Sequence, residues 1–121
     1  MGFKTLLAYQ KGFDLAMEIF HFTKSWPKSE LFALTSQITR SRRSVCSNIS
    51  EGYRKRQYEK HFKSKMSDAD MENSETQLWL DFTEACEYIT KEKCTELTEK
   101  SMEVGRLINY MMKNPNKFGI K

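Results

Sequence analysis

The chain has 121 residues, 39% of them apolar and 30% charged, with a formal net charge of +4. That length suits a single domain, residues 1–121, with a core that folds without disulfide or metal staples. Two prolines, five glycines and few β-branched runs, beside abundant Leu, Met, Lys, Glu and Ala, exclude a sheet-rich chain and predict an all-α protein.

The first helix is predicted over about residues 5–24, ending before Trp26-Pro27 because the residue before proline avoids helical geometry. It carries two apolar stripes, Leu6, Tyr9, Phe13, Ala16 and Phe20 on one side and Ala8, Leu15, Ile19 and Phe22 on another. A helix apolar over that width is expected to be covered on two sides. The second helix is predicted over about 29–56, with Ser29 as cap and Glu30 in the first turn. On a helix advancing ~100° per residue, its seam is Leu34, Ile38, Ser41, Val45, Asn48, Ile49 and Gly52, with Arg43 and Arg54 opposite. Ser41 and Gly52 are small enough to admit a close neighbour, and Asn48 needs a hydrogen-bond partner in such a seam.

The third helix is predicted over about 58–89 and again has two stripes. Met71, Leu78, Phe82, Ala85 and Ile89 form the more apolar one, and Phe62, Met66, Ala69, Asn73, Thr76 and Leu80 the other. The fourth helix, about 92–113, has one stripe of Leu97, Ser101, Val104, Ile108 and Met111 and stops at Asn114-Pro115, leaving a short tail. Four helices with short connections pack most simply as an antiparallel up-down bundle. The surplus apolar faces of the first and third helices then predict a homo-oligomer.

Charge is laid out in blocks. From Arg40 to Lys65 there are nine Lys/Arg against two acids, a block of +7, and from Met66 to Glu103 eleven acids against three lysines, a block of −8. Such a split suits a polyanion partner or self-complementary packing. Arg40, Arg43, Arg54, Lys55, Arg56, Lys60 and Lys63 are the candidate phosphate contacts. Tyr53, Tyr58 and His61 interleave them as candidate stacking platforms for unpaired bases. The competing reading is a solvated helix face whose charges pair with the acidic block, and with it an adaptor or assembly scaffold without a nucleic-acid role.

Other chemistry finds little support. Glu75 lies along the more apolar stripe of the third helix, where a carboxylate needs a cation or donors. Arg42, Arg56 and Asn48 flank the second-helix seam as candidates, so Asn48, Glu75 and Arg42 are expected to form a structural polar core. No paired carboxylate or nucleophile accompanies Glu75, so no enzyme is expected. His21 and His61 stand in no metal-ligand spacing, and the glycines form no phosphate loop, so no metal or cofactor is expected. Cys46, Cys86 and Cys94 form no C-x-x-C pair, and no N-terminal run reads as a signal peptide or membrane span. A reducing cytoplasm is the expected compartment, and the sequon Asn48-Ile49-Ser50 is read as part of a helix.

Trp26-Pro27-Lys28-Ser29-Glu30-Leu31-Phe32-Ala33-Leu34-Thr35-Ser36-Gln37-Ile38, then Arg40, Ser44-Val45, Asn48-Ile49-Ser50-Glu51-Gly52 and Arg54, resembles the signature of the 23S rRNA intervening-sequence protein family, also called "four helix bundle protein". The resemblance continues through Glu75-Thr76-Gln77-Leu78 and Glu87-Tyr88-Ile89 and covers about residues 5–112. A relative is the accessory variability determinant of diversity-generating retroelements, a homopentameric barrel that binds nucleic acid and a reverse transcriptase. The resemblance implies an antiparallel four-helix bundle, a homopentamer, and RNA or DNA and a protein as partners, without catalysis. The chain departs from the family's usual small apolar residues at Arg42-Arg43 and from its usual Gly-Ser at Met71-Glu72.

Overall fold

The computed structural model describes residues 2–119. Its four helices are α1 (Leu7–Thr23), α2 (Leu34–Arg54), α3 (Glu59–Ala85) and α4 (Lys91–Lys113), with short 3₁₀ turns at Phe3–Thr5, Lys28–Glu30 and Pro115–Phe118. Each helix packs on its neighbours in sequence, and α1 closes against α4, so the chain forms an up-down antiparallel four-helix bundle. No described helix is long and apolar enough to cross a membrane.

Two boundaries differ from the sequence expectation for physical reasons. Helix α2 starts at Leu34 rather than near Ser29. Pro27 holds an extended conformation, residues 28–30 close a 3₁₀ turn, and the Glu30 carboxylate accepts from the Leu34 amide at 3.5 Å. Leu31 and Phe32 are thereby turned outward, Phe32 being 94% exposed. Helix α3 stops at Ala85 rather than Ile89 because Glu87 takes a left-handed φ of 61°. The Tyr88 amide then bonds the Thr83 carbonyl at 3.0 Å and the Glu87 amide the Glu84 carbonyl at 2.8 Å, a Schellman ending. Tyr88 and Ile89 fold back onto the core instead of extending a helical stripe.

The two α3 stripes exchange roles. The buried side is the polar-rich one, with Phe62, Met66, Ala69, Asn73, Thr76, Leu80 and Thr83. Met71, Leu78 and Phe82 of the more apolar stripe are 60%, 47% and 51% exposed. On α1 the buried residues are Ala8, Gly12, Leu15, Ile19 and Thr23, while Phe13 and Met17 face outward.

The interior divides into two apolar cores. One, at the α2–α3 turn, contains Leu6, Val45, Ile49, Phe62, Met66, Val104 and Ile108. The other, at the α3–α4 turn, contains Leu15, Ile19, Trp26, Leu34, Ile38, Leu80 and Leu97. Between them lies a polar belt. Ser41 and Thr76 share a hydroxyl hydrogen bond of 2.9 Å. Arg42 donates through Nη1 to Asn73 Oδ1 at 2.7 Å and through Nη2 to the Gly12 carbonyl at 3.4 Å. Asn73 in turn donates to the Ser101 carbonyl at 2.8 Å, and Ser101 Oγ donates back to Asn73 Oδ1 at 3.0 Å. All four helices thus meet at one register, which a slipped pairing would break.

Candidate functional site

Up-down topology places the α2–α3 turn at one end of the bundle and the α3–α4 turn at the other, so the cations from Arg54 to Lys63 gather at the first end, and the acids of late α3 and early α4 gather at the second beside Lys24, Lys28 and Lys91. At the α2–α3 end, Arg54, Lys55, Lys60 and Lys63 are exposed, and none has a carboxylate within ion-pair distance among the described residues. Arg56 is held differently. Its guanidinium carbon sits 4.1 Å from the Tyr53 ring centroid, and Nη1 donates to the Tyr53 carbonyl at 2.9 Å. Tyr58, 53% exposed, meets His61 edge to face at 6.1 Å between centroids. Flat rings thus stand among unpaired cations, the combination that grips phosphates and stacks on unpaired bases.

The remaining predicted cations are placed elsewhere. Arg43 is exposed on α2 beside α1, about 16 Å along the helix axis from Arg54 at ~1.5 Å rise per residue. Arg40 faces α3, where it binds Glu72 at 2.9 Å and Glu75 at 3.5 Å, contacts that hold its guanidinium more firmly charged. Burial works to raise the Glu72 carboxyl, but hydrogen bonds from Arg40 and the neighbouring carboxyl outweigh it and hold it below the usual carboxylate range. Glu75, facing Glu72, is pushed up in turn.

The expected polar core needs two corrections. Glu75 is a half-exposed surface partner of Arg40, because its stripe faces solvent. Asn48 is half-buried and donates to the Ser44 carbonyl of its own helix at 2.9 Å, so it bridges no helices. Arg42 is 1% exposed and takes Asn73 as its acceptor. Burial lowers its pKa to about 10, with the neighbouring Cys46 acting the other way. The same burial pushes the Cys46 thiol up, against the pull of Arg42.

Sequence reasoning missed the contribution of the chain's far end. Helix α4 runs back toward the α2–α3 turn, bringing exposed Lys113 and Lys117 with it. Lys117 donates to the Tyr110 hydroxyl at 2.8 Å, and a Cβ on Gly119 would lie 3.1 Å from Arg56 Nε. The usable signal was the antiparallel topology itself, since helices two and four must end at the same side. At the opposite end, Lys93 and Lys100 converge on Glu18 and Glu96, with Lys100–Glu18 at 2.8 Å and Lys93–Glu96 at 2.6 Å. Asp81, Glu84, Glu87, Glu92 and Glu99 add carboxylates there without ion pairs among the described residues.

Residues 4–110 match the 23S rRNA-intervening sequence protein family. The chain belongs to that family. A solved relative within reach of this 23S rRNA-intervening sequence protein is a protein of unknown function of the S23 ribosomal protein family from Bacteroides thetaiotaomicron. It is 27% identical, with a TM-score of 0.76 over 88% of this chain and 99% of that one. Among curated proteins, none matches.

Proposed function

We propose that this 23S rRNA-intervening sequence protein is a non-enzymatic, cytoplasmic, oligomeric bundle that binds RNA or single-stranded DNA through its basic end. The observation that carries the reading is the set of four exposed cations, Arg54, Lys55, Lys60 and Lys63, gathered on one turn without carboxylate partners. Unanswered charges so close together repel one another, and a polyanion relieves that repulsion while releasing its counterions. The binding is largely sequence-independent and salt-sensitive, with Tyr58 and His61 favouring unpaired bases.

Self-association is supported by the outward apolar residues of α3, Met71, Leu78 and Phe82, and by Leu31 and Phe32. A ring of the pentameric kind the family resemblance implies would cover these faces with neighbouring copies. The same faces favour a second reading, an adaptor whose ring recruits another protein.

Size-exclusion with light scattering, run with and without a pool of RNA hairpins and single-stranded DNA, separates the readings. The expected result is an oligomer that co-elutes with nucleic acid and releases it as salt rises. Arg54→Glu with Lys63→Glu should abolish co-elution and leave the particle mass unchanged. A variant that loses the oligomer, or a wild-type oligomer that ignores nucleic acid at low salt, would overturn the binding role.

A further inference from the structure

An open groove of about 860 Å³ runs along α1 and α2, with an apolar wall of Phe20, Trp26, Pro27, Leu31 and Phe32 and an α2 side that includes Thr35, Thr39 and Ser47. The exposed cations Lys24, Lys28 and Arg43 line it, none with a carboxylate within ion-pair distance, and no carboxylate lines it among the described residues. The outward side of α3 is its chemical opposite. On a helix advancing ~100° per residue, the exposed Met71, Leu78 and Phe82 fall within ~40° of one another, with Asp68 and Glu75 on one flank and Asp81 on the other.

Groove and ridge also stand at the same height in the bundle. Ser41 and Thr76 bond across α2 and α3 at 2.9 Å, which sets the two antiparallel helices level there. Counting ~1.5 Å per residue in opposite directions puts Ser47 level with Asp70, Thr39 with Leu78 and Thr35 with Phe82. The groove from Ser47 to Thr35 and the ridge from Met71 to Phe82 therefore each span about 16–18 Å of the axis. Arg43 comes level with Ser74, next to Glu75. A Cβ on Gly12 would lie 3.6 Å from Cys46 Sγ, so Lys24, at the far end of α1, stands near the height of Asp81 and Phe82. In a ring whose helices run along the symmetry axis all copies share one height, so a ridge enters a neighbour's groove only if the two are level within one chain. Here they are.

We infer that the α3 ridge of one copy lies in the α1–α2 groove of the next. The inference rests on the oligomeric reading above and names the two faces that meet. Apolar contacts from Leu78 and Phe82 carry the affinity, as for a helix laid in an apolar groove, and the charges around the rim set the register. Every α2–α3 turn then lies on the same rim of the ring, so the open cations of all copies face one polyanion together.

The test uses the full chain in size-exclusion with light scattering and in oxidative crosslinking. Leu78→Lys with Phe82→Lys sets cations against a cationic groove and should reduce the particle mass to that of a single chain with the helical signal unchanged. With Cys46→Ser and Cys86→Ser in place, Thr39→Cys/Leu78→Cys should crosslink copies into a ladder on oxidation. Thr39→Cys/Met71→Cys, whose second thiol lies ~10 Å lower along the axis, should not. A wild-type oligomer whose mass survives both lysines, or whose two cysteine pairs crosslink alike, would overturn this pairing and leave the oligomeric reading standing. A wild-type chain that stays single at high concentration would end both. Protection of a Thr39→Cys thiol from alkylation by nucleic acid, and not by self-association, would assign the groove to the polyanion instead.

Discussion

The core around Ile49, Phe62 and Ile108 and the core around Ile19, Ile38 and Leu97 are each filled from all four helices, yet the open charge on their surfaces differs: unpaired cations gather around the α2–α3 turn, whereas unpaired carboxylates stand beside Lys24, Lys28 and Lys91 at the other end. Near the second core, Glu18 and Glu96 answer Lys93 and Lys100. Around the first, Arg54, Lys55, Lys60 and Lys63 stand open beside Tyr58 and His61. None of these four cations forms an ion pair that holds the fold among the described residues, and unpaired like charge is a cost unless a partner meets it. The difference separates what the bundle needs from what it offers.

The largest effect should come from the belt that joins the two ends. Asn73→Leu removes the acceptor of the buried Arg42 and the donor to Ser101, and should cost about 3 kcal/mol in urea denaturation. Arg42→Met combined with Asn73→Leu should recover at least half of that, since no buried charge is left unpaired. A smaller loss is expected at the basic end. A Cβ on Gly52 would lie 2.5 Å from Met66 Cε and 3.0 Å from Lys65 Cβ, where α2 packs against the first turns of α3. Gly52→Ala should cost about 1–2 kcal/mol even after alanine's gain in helix preference. The acidic end should respond with the opposite sign. Glu87→Gly removes the left-handed penalty at the close of α3 and should raise stability by about 1 kcal/mol.

The helices and the α2 seam were legible because Leu34, Ile38, Ser41, Val45, Ile49 and Gly52 recur with helical spacing, and all six are buried. The face of α3 was not. Hydrophobic weight favours Met71, Leu78 and Phe82, but the interior at that level needs Asn73 and Thr76 as partners for Arg42 and Ser41. Local periodicity carries no record of an acceptor waiting 31 residues away. The same limit placed Asn48 in the core and left Arg42 attached to Glu75, since charge normally argues for the surface. Of the candidate interface, the cluster around the α2–α3 turn is contiguous in sequence and was visible. Lys113 and Lys117 reach it only through the topology, and Arg40 leaves it only through its pairing with Glu72.

The most direct test of the basic end is fluorescence anisotropy with a single-stranded oligoribonucleotide across a salt series. It should compare wild type with Lys55→Glu/Lys60→Glu/Lys63→Glu and with Lys24→Glu/Lys28→Glu/Lys91→Glu at the opposite end. The expected result is that affinity falls with salt at a log–log slope of about −3 for roughly four phosphate contacts. The first variant should lose binding and the second should keep it. Equal losses in both variants, or no binding by wild type at low salt, would contradict a nucleic-acid role for the open cations.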